Sequence, residues 1–460
     1  MSTQPSRPRV ADPASCQELA EKMLSLAMQA GADGAEVLVR EGSELHVKVR
    51  MGAPELVKEA GSRGLGLRVL KDGRAAVTYT SDFQPRAMED FAKESVLLCR
   101  LAEPDLLAAL PDREEMARSI PDLDLWDESV LSIDVKQGMQ WAEAGETAAF
   151  KHDARVTNSE GASFSRGVGA SAFATSAGFS AAYRGTSIGL VVGPVCDDAD
   201  GKKRNGHHYT SSRFLSGLLP AAEVGVEAAR RTVAKLGSRK IETCQVPAVF
   251  SAEAGRSLLA QFAGLVLGGA IWRKGSYLAE REGTVVASPL VTIVDDPLLP
   301  RGPGSRPFDS EGLAARPNVV VSEGILRTFL CDVYSARKLE RRSTGSAGRS
   351  LGGGPHVTTS NFILRPGKRS PSRISQVQQG FYVTDLMGFG FNPVTGDFSQ
   401  GAAGFWIENG EHAFPVSEVT VSVSFDELWK GIDAVGDDLD TRSSVQSPSF
   451  RVARVTVAGR

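Results

Sequence analysis

Few of the residues able to do chemistry in this 460-residue chain stand at spacings that make a site. His207 and His208 are its only adjacent histidines. Neighbours on a strand or turn point apart, so they make a poor chelate and read as solvent-exposed loop residues. His46, His152, His356 and His412 are isolated. Asp295-Asp296-Pro297 with Asp309 and Glu311 is the densest acidic group, and such carboxylates could bind a divalent cation. Asp before Pro favours a turn, however, and Gly312 follows Glu311, so structural roles are expected there. GRSLGGGP at 348–355 lacks the Gly-Lys-Ser/Thr of a phosphate-binding loop. Cys16, Cys99, Cys196, Cys244 and Cys331 form no C-x-x-C and read as small hydrophobes in a reducing cytoplasm.

The richest segment is GFYVTDLMGFGFNPVTGDFSQGAAGFWIENG at 380–410. Two strand-like runs, FYVTDL and GFWIEN, flank Gly, Asn, Pro and Asp residues suited to tight turns. Turn-rich backbone held between buried strands is a common place for a binding surface. Phe381, Val383 and Asp385 on the strand, with Asn392, Gly396 and Asp397 on the turn, are the candidate substrate or partner surface.

Those residues need a scaffold, and the chain is long enough for two or three domains. Its 42% apolar and 23% charged residues are those of a soluble globular protein. The 48 glycines favour a turn-rich fold. The N-terminal residues lack the apolar core of a secretory signal, and no apolar run reaches membrane-spanning length. A net charge of −3 argues against general nucleic-acid binding.

Residues 1–14 read as a disordered leader, and 15–101 as an N-terminal α+β domain. In it, a helix over 15–31 with Ser15 as N-cap precedes two hairpins. One spans 35–50 about a Glu-Gly-Ser turn, the other 64–80 about Asp72-Gly73. A helix over 86–101 follows. Residues 102–125 read as a linker, and 126–242 as a central domain with helices near 133–151 and 212–236 around a small-residue meander. Residues 243–460 read as a β-rich C-terminal domain with an embedded helix at 252–267 and a late helix near 425–435. On that helix Leu258, Leu259, Phe262, Leu265 and Val266 are the expected core face. The basic segments at 341–354 and 365–373 read as mobile loops. The fold class is therefore α+β.

Fragments spread along the chain resemble the TldD/PmbA family, and its PmbA (TldE) branch in particular. They are TNSEG at 157–161, DDP at 295–297, FDSEG at 308–312, GIL at 324–326, STGSA at 343–347, TSNF at 359–362 and the 380–410 run. The zinc-bearing branch carries His-Glu-x-x-x-His on the first helix of its C-terminal domain, completed by a later cysteine. Histidines about one turn apart can share a zinc, and the glutamate can serve as general base. Aligned with that pattern, the would-be ligand positions here are Leu259 and Gly264, and the would-be base is Ala260. None can bind metal or move a proton, and no cysteine follows Cys331. The resemblance thus implies a non-catalytic subunit with no cofactor of its own. A TldD-like partner would carry the zinc, and the pair would act on unfolded or modified peptides in the cytoplasm. The alternative is a stand-alone homodimer that binds peptides or a small ligand without hydrolysis. The family's names carry a link to DNA gyrase, but the basic loops lack interleaved aromatics, so direct nucleic-acid binding is not expected.

Overall fold

The computed structural model describes residues 12–459, the side chain of Asp200 apart. Residues 1–11 of the expected leader lie outside the described residues, and residues 13–14 already belong to the first helix. That helix, Pro13–Gln29, is capped by Asp12 rather than Ser15. The Asp12 carboxylate accepts from the amides of Ala14 and Ser15, and Pro13 takes a first-turn position that needs no N–H.

Seven strands form the first sheet: β1 (Gly34–Arg50), β2 (Ala53–Lys71), β3 (Arg74–Thr80), β4 (Val156–Thr175), β5 (Phe179–Asp197), β6 (Lys203–Asn205) and β7 (His208–Ser212). The order is β3-β2-β1-β4-β5-β6, with β7 also on β5. The strands expected on either side of 102–125 thus share one sheet, through the β1–β4 pairing. The 64–80 hairpin forms about Asp72 and Gly73, both at positive φ. The 35–50 hairpin does not. β1 runs straight through Gly42, which pairs with Ser62 on one side and Gly169 on the other. A Cβ at Gly42 would stand 2.7 Å from the Val168 carbonyl oxygen, so this glycine serves close approach and not a turn.

Four helices cover the sheet. Pro13–Gln29 and Pro85–Leu98 close over one core, with Met23, Val37, Leu67 and Met88 inside. Val135–His152 and Ala221–Val233 close over the other, with Val47, Phe164, Leu190 and Val224 inside. The second pair crosses at Gly145 and Gly225, where a Cβ on Gly225 would lie 2.0 Å from the Gly145 carbonyl oxygen. The helix expected from 212 begins only at Ala221, because β7 and a short turn occupy the residues before it.

The C-terminal half is a closed barrel. Its strands are β8 (Cys244–Phe250), β9 (Gln379–Met387), β10 (Asp397–Glu408), β11 (Glu411–Ser424) and β12 (Phe450–Ala458). They run β11-β10-β9-β8-β12, and β11–β12 pairing at Thr420–Ala458 closes the ring. β8 and β9 are parallel and the other neighbours antiparallel. A smaller mixed sheet around Ile293–Asp295 packs beside the barrel in the same core. The late helix is short, Phe425–Lys430, and Ile432–Val435 continues as a strand on β12. Among the described residues no helix is long and apolar enough to cross a membrane.

The segment 341–354 is not a mobile loop. Ser343 to Arg349 are buried, and the Arg349 guanidinium donates to Glu36 on β1 at 3.2 Å. The 365–373 segment is largely exposed, as expected, and ends in the short helix Pro371–Ile374.

Candidate functional site

Helix Ala252–Leu265 starts where Ser251 accepts the amide of Ala254 at 3.2 Å. Leu258, Leu259, Phe262, Leu265 and Val266 recur at helical spacing and are all buried in the barrel core. The Phe262 ring meets Trp429 at 4.9 Å between centroids, and Trp429 meets Phe450 at 5.9 Å. Of the three positions aligned with the zinc motif, Leu259 faces this core while Ala260 and Gly264 face out. Nothing lies within 4 Å of where a Gly264 Cβ would stand. A buried Leu, a methyl group and bare backbone offer no lone pair to a zinc ion, so these residues do not fit one. Among the described residues no group of three His, Cys, Asp or Glu could hold a metal.

The candidate surface of 380–410 divides. β9 lies between β8 and β10, so alternate side chains enter the barrel. Phe381 and Val383 point inward and are fully buried, which removes them from any binding surface. Tyr382 and Thr384 face outward, and a register shift after Val383 keeps Asp385 on that side too. Asp385 is held by Lys235 at 3.1 Å and by the Thr384 hydroxyl at 2.7 Å. Asn392 and Gly396 lie away from this face, in the β9–β10 connection, and Asp397 opens β10 beside them. There the Asn392 side chain accepts the amide of Val394 at 3.0 Å, and the Asp397 carboxylate accepts the Thr395 hydroxyl at 2.5 Å. Gly396 has φ of +79°, and a Cβ there would sit 3.3 Å from the Tyr277 ring. The loop is pinned, with Tyr277 donating to the Pro393 carbonyl and Phe425 to that of Gly396. At its tip Phe389 is fully exposed, with Met387 and Val394 more than half exposed.

The outward face of β9 lines a cleft of about 600 Å³ between the barrel and helix Ala221–Val233. One wall is aromatic: Tyr382, Phe405, His412 and Phe414. Phe405 and His412 stack at 5.0 Å, and Tyr382 meets His412 at 4.6 Å. Burial lowers the His412 pKa and raises that of Tyr382, so both are uncharged at neutral pH. The opposite wall is charged. Glu253, in the first turn of the barrel helix, accepts from Arg231 at 2.9 Å and from Arg442 at 2.8 Å. Burial opposes its ionisation, but the two guanidiniums outweigh burial and hold its pKa below the usual value. The arrangement suits an extended chain lying along the aromatic shelf, with its polar groups facing Arg231, Lys235, Asp385 and Arg442.

Other sequence candidates have structural places. His207 stands at the cleft rim, but His208 is buried on β7, which corrects its expected exposure. Desolvation, then Arg231 and Arg442, push its pKa down to about 4. Asp295 accepts the amide of Ser360 at 2.7 Å. Asp309 accepts amides from Glu311, Leu313 and Ala347 at 2.9–3.1 Å, and Glu311 accepts that of Val333 at 2.8 Å. Burial raises all three acids, Asp295 to about 6. They tie loops together. Burial also lifts the Cys331 thiol to about 11, which makes it unreactive. Gly185–Gly189 and Gly348–Gly352 both match the G-x-S-x-G spacing of a hydrolase nucleophile. Neither stretch turns from strand into helix, and neither serine donates to a histidine among the described residues.

Comparison with known proteins gives this geometry a lineage. Residues 35–99, 128–236 and 243–459 match the family models for PmbA/TldA metallopeptidase domain 1, central domain and C-terminal domain. Metalloprotease PmbA of Escherichia coli O157:H7 is 34% identical across 96% of this chain and 97% of its own. A crystal structure from Bacteroides thetaiotaomicron VPI-5482 superposes with a TM-score of 0.90 at 27% identity, covering 96% of this chain and 99% of that one. TldE from Thermococcus kodakarensis shares the fold, with a TM-score of 0.86 at 20% identity over 96% and 100% of the two chains. The chain belongs to the PmbA/TldD family, on its PmbA (TldE) branch.

Proposed function

We propose that this chain is the non-catalytic subunit of a two-chain metallopeptidase acting on unfolded or modified peptides. The carrying observation is the outward face of helix Ala252–Leu265, where Ala260 and Gly264 supply neither ligand nor base. A TldD-like sister would bring the zinc, and this chain would bring the cleft and the exposed tip at Phe389. Both edges of β10, and the 381–383 portion of β9, are already paired within the barrel. A peptide would therefore be met here by side chains, not by strand addition.

The test is to assay peptide processing and metal content for this chain, for a zinc-bearing sister and for their mixture. Processing by the mixture alone, with zinc only in the sister, is expected. Gly396→Val should impair the mixture more than it impairs folding of this chain, because it strains the loop beneath the Phe389 tip. A sister that works equally well unaided would leave the stand-alone binding protein as the better account. About one tightly held zinc per copy of this chain would overturn the non-catalytic reading.

A further inference from the structure

A second cavity, of about 330 Å³, lies between the first sheet and the loops at 306–310 and 348–358. It shares no lining residue with the cleft beside the barrel helix. Its ionisable lining is Arg40, Arg306, Arg349 and His356 against one carboxylate, Asp309. Leu38, Phe173, Tyr183 and Phe308 supply an apolar wall, with Tyr183 edge-on to Phe308 at 5.4 Å, and the hydroxyls of Ser171, Ser310, Ser350 and Thr358 also line it.

The guanidiniums are only partly satisfied. Arg349 donates Nη1 to Glu36 and Nε to the Gly353 carbonyl, while its buried Nη2 has no acceptor. Glu36 is itself shared with Arg68 at 2.8 Å. Arg306 has neither Nε nor Nη2 paired, and both atoms are buried. These two nitrogens form one edge of the guanidinium, the fork that takes both oxygens of a carboxylate. The acids whose charge Arg306 feels are Asp295 and Asp309, and both are engaged with backbone amides. A buried donor without an acceptor is destabilising, and more so when it is charged.

We propose that this cavity binds a carboxylate attached to an aromatic or other apolar group, such as a peptide's C-terminal residue. The Arg306 edge and Arg349 Nη2 take the carboxylate oxygens, and Phe173, Tyr183 and Phe308 enclose the apolar part. The guanidinium fork pairs with carboxylate and phosphate alike, so selection rests on the ring-bearing wall, which favours an organic acid over a bare ion.

The test is calorimetric titration of the full chain with N-acetylphenylalanine, its C-terminal amide and inorganic phosphate. One site for the acid is expected, with binding about tenfold or more weaker for the amide. Arg306→Met should lose the acid by a similar factor. Because that variant could unfold, Tyr183→Leu supplies a second measure and should weaken the acid but not phosphate. A peptide with a free C-terminal phenylalanine that competes with the acid would mark the chain end as the source, and failure to compete would mark a free small acid. Equal affinity for acid and amide, tighter binding of phosphate, no saturable binding, or a folded Arg306→Met protein with unchanged affinity would each overturn the proposal.

Discussion

The two halves of the molecule seat their helices in opposite ways. In the barrel, helix Ala252–Leu265 is held by bulk, with Phe262 against Trp429 and Phe450 behind it. On the first sheet, helices Val135–His152 and Ala221–Val233 are held by lack of bulk, with Gly225 backed onto the Gly145 carbonyl. One packing is broken by removing atoms and the other by adding them. A closed barrel surrounds its contents on every side and can be filled with large rings. An open sheet crossed by two helices gains most when the backbones come close.

The sharpest test of this contrast is Phe262→Ala, which should cost about 3–5 kcal/mol through lost burial and a cavity. Denaturant unfolding would measure it, and a cost below about 1 kcal/mol would mean that the barrel collapses around the gap. Leu259→His comes next, at about 3 kcal/mol, because an imidazole would replace a fully buried apolar group. It should bring no zinc with it, and unchanged thermal stability would show that the position opens onto solvent. Gly225→Val should cost about 2–3 kcal/mol by overpacking. If Gly225→Val were harmless while Phe262→Ala were not, the distinction between the halves would fail.

A smaller effect concerns pH. His208 has its pKa lowered from 6.5 to about 4 in the fold, so the unfolded chain binds the extra proton between those values. Stability from this group is complete above pH 6.5 and is lost as pH falls toward 4. The difference in urea midpoint between the native chain and His208→Gln should shrink as pH falls across that range. The comparison isolates this group because buried Asp295, raised to about 6, titrates in the same window with the opposite sign. Smallest of all is Lys368→Ala in the exposed 365–373 segment, expected to stay within about 0.5 kcal/mol in the same assay.

Patterns repeated over a few residues were readable from sequence. The barrel helix shows its core face at helical spacing, and the 64–80 hairpin carries its Asp-Gly turn. Glycine misled where it serves packing. Gly42 reads as a turn but lies mid-strand, and the glycine- and serine-rich 341–354 reads as mobile but is largely buried. What fixes that segment is an ion pair between Arg349 and Glu36, 313 residues apart, which no local pattern encodes. The outward half of β9 has the same character. Alternation alone would put Phe381, Val383 and Asp385 on one face; one register shift against β10 after Val383 leaves Asp385 outside while Phe381 and Val383 enter the core. The cleft itself gathers residues from Gly206 to Arg442, and only folding brings them together.

β2 bears a consequence of its own. β3 covers it only from Leu65 to Lys71, so the outer side of Ala53 to Gly64 carries no strand partner among the described residues. Such a margin invites pairing between copies. Pro54 removes one donor from it, and Glu55, Lys58 and Glu59 place exposed charge along it. Charge guards only as far as salt permits, about 10 Å at 0.1 M and about 3 Å at 1 M. Pairing of copies along this short stretch of one strand should therefore grow as ionic strength rises.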